Sequence, residues 1–99
     1  MNFIADKIVF TSLKNMKLGF INVTNYNGQK FYLGNKNSIK RASLVIKKKS
    51  FTLEIISKGS VGLAESYMRG DFDTDNLTNL IEILADNIGA VHKFAGIMD

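Results

Sequence analysis

Apolar residues recur along this chain with two different periods, and each change of period marks an element. Near the start, Phe3, Ile4 and Ile8 share one face at three-to-four spacing until the pattern fades near Asn15, which predicts a helix. A denser run follows. Leu18, Phe20, Ile21 and Val23 read as one strand, and Phe31, Tyr32 and Leu33 as a second. Between them Asn25-Tyr26-Asn27-Gly28 ends in an Asn-Gly step, which tolerates left-handed backbone and closes a tight hairpin. Residues 34–38 then loop towards Ala42-Ser43-Leu44-Val45-Ile46, a third strand bounded by charge.

From Phe51 to Ile56 both periods fit. Leu53 and Ile55 alternate as in a strand, but Phe51, Ile55 and Lys58 share a helical face, and the helix is preferred. Ser60 is placed to cap a short helix with Val61, Ala64, Tyr67 and Met68 along one side, and Gly70 to stop it. The next helix opens near Asp75, where acids suit the positive end, and buries Leu77, Leu80, Ile81 and Leu84 before Asn87 and Gly89 break it. Ile88, Val91, Ala95 and Met98 define one more amphipathic helix that runs off the end at Asp99. The expected fold class is α+β, a small antiparallel sheet with helices packed on one side.

At 99 residues this is a single domain, 1–99, and 45% apolar residues suffice for a modest core. There is no cysteine, which excludes disulfides, thiolate nucleophiles and Cys-ligated metals. Asp6 and Lys7 stand where the apolar stretch of a secretory signal would begin, and no run of about 18 apolar residues occurs. The expected location is the bacterial cytoplasm, with a peripheral place at the inner membrane surface.

Charge is unevenly spread. Residues 29–58 carry +7, and residues 71–99 carry −5. The basic middle includes Arg41 and the run Lys47-Lys48-Lys49, a candidate contact for phosphate or lipid head groups. The bland alternative is a solvated strand end. Phe20, Tyr26, Phe31 and Tyr32 are not interleaved with these lysines as in a base-stacking platform, which argues against nucleic acid.

Catalytic constellations are missing from the pattern. His92 is the only histidine, so no Ser-His-Asp arrangement or histidine metal site can form. Asp71 to Glu82 sets oxygens at the spacing of a calcium-binding EF-hand loop, but Asn76 replaces the required glycine and Thr78 the usual aliphatic. Helical register also runs through the supposed loop, so no metal is expected.

The stretch from Gly59 to Leu77 carries Gly59-x-x-Gly62-Leu63-x-Glu65-x-Tyr67-Met68-x-Gly70, then Phe72, Asp73 and an Asp75/Leu77 helix opening. This block resembles a signature in the N-terminal domain of cyclopropane-fatty-acyl-phospholipid synthases and related mycolic-type methyltransferases. Phe72 departs from the family pattern, which more often has Trp. The resemblance implies a sterol-carrier-like, non-catalytic domain that presents a phospholipid acyl chain. Methyl transfer from S-adenosylmethionine would belong to a following Rossmann-like domain, so no cofactor is expected in this chain, and the chain would be the first part of a longer enzyme. Gly62, Glu65, Tyr67, Met68 and Gly70 would serve the motif, either as architecture or as an interface.

Several of these residues also have plainer readings. Glu65 can form an i,i+4 pair with Arg69. Tyr67 and Met68 could line an acyl pocket, but their spacing with Val61 and Ala64 favours a core face. Two other functions remain open: a stand-alone lipid or fatty-acid carrier, and an interaction module whose acidic C-terminal half binds a partner protein.

Overall fold

The computed structural model describes residues 3–95, with side chains from Ile4 to Asn87. The order is α1 (Phe3–Lys14), β1 (Phe20–Thr24), β2 (Lys30–Gly34), β3 (Arg41–Ile46), α2 (Phe51–Arg69), β4 (Phe72–Asp73) and α3 (Leu77–Ala95). The class is α+β, as the sequence pattern implies.

The sheet is mixed rather than antiparallel, with strand order β2-β1-β3-β4. β1 and β2 form the expected hairpin, Ile21 opposite Leu33. Residues 35–40 then carry the chain across to the other edge of β1, so β3 runs parallel to it, with Ile21 beside Ala42 and Val23 beside Leu44. The two-residue β4, too short to read from period, closes the sheet with Phe72 opposite Ile46.

Side chains alternate across these strands. Ile21, Val23, Leu33, Ala42, Leu44 and Ile46 are buried on the face that the helices cover. Asn22, Tyr32 and Val45 face outward and are exposed. Phe20 is buried on that outer face, because Tyr32 stacks on it at 5.4 Å and the Arg41 guanidinium lies 4.5 Å above its ring. Leu18 falls outside the strand and is exposed.

The first helix buries a different stripe from the expected one. Ala5, Val9 and Leu13, at i, i+4 and i+8, meet the core, while Ile4 is exposed and Ile8 half-buried. Asp6 ties this helix to its neighbours, accepting from the Tyr26 hydroxyl at 3.0 Å and from Thr52 Oγ1. The same bond from Tyr26 raises that phenol's pKa.

The last helix starts and ends elsewhere than the pattern implies. Asn76 caps it, its Oδ1 accepting from the Asn79 N–H at 3.0 Å. Asp75 instead accepts from the Ser43 N–H at 2.8 Å, which lowers its pKa and anchors the helix approach to β3. The helix continues past Asn87 and Gly89. Asn87 stays inside because its side-chain amide donates back to the Ile83 carbonyl at 2.7 Å. The separate final helix of the sequence reading is thus the second half of α3, and the side chains of Ile88, Val91, His92, Ala95 and Met98 lie outside the described residues.

Candidate functional site

Helix α2 is two helices joined at a corner. Gly59 has φ 58° and ψ −131°, a conformation that glycine adopts and residues with a Cβ avoid. The corner swings residues 60–69 back against residues 51–58. Contact there is backbone to backbone: a Cβ on Gly62 would stand 2.3 Å from the Glu54 carbonyl oxygen. At the far end Gly70, at φ 76°, donates its N–H to the Tyr67 carbonyl, and the Asp71 N–H donates to that of Ser66. Three glycines of the motif therefore have architectural work, at the corner, at the contact and at the cap.

This geometry decides which side of residues 60–69 is buried. Gly62, Leu63 and Ser66 face the core. Val61, Ala64, Tyr67 and Met68, expected there, do not, with Tyr67 47% and Met68 76% exposed. The close seat of Gly62 on Glu54 turns their face outward, towards a gap beside α3. A groove of about 270 Å³ opens in that gap. Its floor includes the buried Ile55, Leu63, Phe72 and Leu84, and its rims carry Ala64, Tyr67 and Met68 opposite Leu77, Ile81 and Ala85. Among the described lining residues the polar groups are the Ser60 side chain and the Tyr67 hydroxyl. From Ser60 to Met68 the wall is about 12 Å long at 1.5 Å per residue. Such a surface offers dispersion and apolar burial, and hardly any hydrogen bonding.

Charged groups lie behind the groove wall rather than in it. Lys58 bonds Glu65 at 3.2 Å and lies 3.5 Å from Glu54, bridging the two halves of α2, and these carboxylates raise its pKa, Glu65 most. Glu65 therefore pairs with Lys58, seven residues away, and not with Arg69 as its i,i+4 spacing implies. Arg69 is held by Asp71 at 3.0 Å and Glu54 at 3.5 Å, and its pKa rises for that reason, Asp71 first. The corner brings Lys58 and Glu65 within reach, which linear spacing alone does not reveal.

The basic candidates are not brought together. Lys47 pairs with Asp73 at 2.8 Å, Lys48 lines a shallow cleft with Ser50, Arg69 and Asp71, and Lys49 is exposed. Arg41 sits at the opposite end of β3, about 20 Å away by strand rise. The acids of the EF-hand-like stretch also diverge, Asp71 to Arg69, Asp73 to Lys47 and Asp75 to Ser43. Among the described residues no three His, Asp or Glu side chains are grouped to hold a metal ion.

Sequence reasoning missed the α3 wall of the groove, although a signal was present. At about 100° per residue, apolar positions Leu77, Leu80, Ile81, Ile83, Leu84 and Ala85 span about 200° of the helix. One contact needs roughly half that arc. Leu80, Ile83 and Leu84 fill the core, and Leu77, Ile81 and Ala85 are left for a second surface.

No family model, no curated protein and no solved structure matches this chain.

Proposed function

We propose that this chain is a non-catalytic lipid-presenting domain that holds an acyl chain in the groove between the second half of α2 and α3. The observation that carries the reading is the lining: among the described residues, twelve that are apolar apart from Ser60 and the Tyr67 hydroxyl, with Tyr67 and Met68 of the motif exposed on one rim. An alkyl chain is matched by apolar walls with few polar groups.

The resemblance of Gly59–Leu77 to cyclopropane-fatty-acyl-phospholipid synthases supports placing this domain ahead of an S-adenosylmethionine-dependent methyltransferase domain, on the cytoplasmic side of the inner membrane. The parallel strand β3 leads through Lys47-Lys48-Lys49-Ser50 into α2, where a nucleotide-type site requires a glycine-rich turn. S-adenosylmethionine therefore belongs, in this proposal, to the partner domain. No helix among the described residues is long and apolar enough to cross a membrane, so contact with lipid would be peripheral.

A stand-alone fatty-acid carrier would use the same groove, and the intact mass of the endogenous product separates the two. The groove itself is tested by titrating a fluorescent fatty acid into the wild type and Ala64→Trp. The exposed Ala64 position accepts a large ring without disturbing the core, and the ring fills the groove. Saturable binding by the wild type, lost in A64W at an unchanged melting temperature, is the expected result. Equal binding by both proteins would refute it.

A further inference from the structure

Two loops meet at the end of the molecule remote from Lys47–Lys49. Residues 15–19 join α1 to β1, and residues 35–40 join β2 to β3. They are stapled together. The Gly19 N–H donates to Ser38 Oγ at 2.9 Å, the Asn35 N–H to the Gly19 carbonyl at 2.9 Å, and the Asn35 side-chain amide to the Lys17 carbonyl at 3.3 Å. A Cβ on Gly34 would stand 2.2 Å from the Gly19 oxygen, so the two backbones touch.

This fixed platform lifts two apolar side chains into solvent. Ile39 is 98% exposed, the highest value for a large apolar residue among the described ones, and Leu18 is 74% exposed. Lys17 and Lys40 line the same shallow hollow as these two side chains, together with Asp86, and Lys36 belongs to the 35–40 loop. Lys40 is held by Glu82 at 2.8 Å and Asp86 at 3.9 Å. Lys17 and Lys36 form no ion pair among the described residues, whereas Arg41 lies over the Phe20 ring and donates to the Lys36 carbonyl.

We propose that the Leu18–Ile39 tip docks on an anionic bilayer, its two side chains entering the interfacial layer while Lys17 and Lys36 meet the head groups. Exposed apolar residues beside unpaired lysines are the combination that such an interface rewards. A protein partner fits less well, since two protruding side chains fall far short of the roughly 800 Å² per partner that a stable protein interface buries. The proposal deepens the lipid-presenting reading and rests on it for its purpose, while its geometry is separate from the groove. It also moves the membrane contact. Lys47–Lys49 lie at the other end of β3, and one flat bilayer cannot meet both ends.

The test is sedimentation of the 99-residue chain with phosphatidylcholine vesicles that contain or lack phosphatidylglycerol, at low and high salt. Binding should require phosphatidylglycerol and fall with salt. Each lysine near an anionic surface strengthens binding about fivefold, so K17A/K36A should weaken it roughly 25-fold. L18D/I39D should abolish it, whereas K48A/K49A and A64W should bind as the wild type does. These positions are exposed, so melting temperatures should hold. Absence of binding, full binding by L18D/I39D, or loss in K48A/K49A would overturn the proposal. So would a dimer that L18D/I39D dissolves without any vesicle binding. Loss of fatty-acid uptake in A64W with vesicle binding intact concerns the groove alone, so the two readings fail separately.

Discussion

The two halves of α2 have similar apolar content and opposite fates. In residues 51–58, Phe51, Thr52, Ile55 and Ile56 are buried, and Phe51 packs edge-on against Phe72 at a ring separation of 5.1 Å. In residues 60–69 only Gly62, Leu63 and Ser66 are buried, and Val61, Tyr67 and Met68 stand in solvent. The difference comes from one backbone corner and one close contact. Once Gly59 turns the chain and Gly62 seats on Glu54, the small residues face inward and the large ones face out. Helical apolar spacing therefore specifies a face, and what covers that face is decided elsewhere in the fold.

The contrast can be broken at three places. Ile55→Ala should cost the most, about 2–5 kcal/mol, because it empties a filled core site. Denaturant unfolding reads this directly, and a loss below about 1 kcal/mol would mean that the first half is not the buried half. Gly62→Ala should cost about 1–3 kcal/mol, since a methyl group must be forced between two backbones. If this variant melted like the wild type, the two halves would not be in contact. Met68→Ser should change stability by no more than about 0.5 kcal/mol, as expected of an exposed position. A loss as large as that of Ile55→Ala would return Met68 to the core, where its spacing alone had put it.

Much of the fold was legible because strands and helices of this chain have distinct periods. The hairpin around Asn27-Gly28, the third strand, the helical choice at Phe51 and the stop at Gly70 all follow from local chemistry. The parallel pairing of β1 with β3 did not, because it depends on which edge the 35–40 loop crosses to. Nor did the continuity of α3 through Asn87, where a side-chain bond to Ile83 keeps a poor helix former in place. Of the candidate site, Tyr67 and Met68 were visible as a pair with two meanings. The facing wall of Leu77, Ile81 and Ala85 was hidden in an apolar arc too wide for one contact. Leu18 and Ile39 carried no local signal, since Leu18 sits beside a strand and Ile39 is isolated among polar residues.

Methyl NMR of the chain titrated with decanoate tests the central claim most directly, because it reports the place of binding as well as its occurrence. Saturable shifts at Ala64, Met68, Ile81 and Leu84 are expected, with Ile21, Val23 and Leu44 on the sheet unmoved. Groove methyls that stay fixed while decanoate is added, or shifts confined to other parts of the molecule, would contradict an acyl-binding groove.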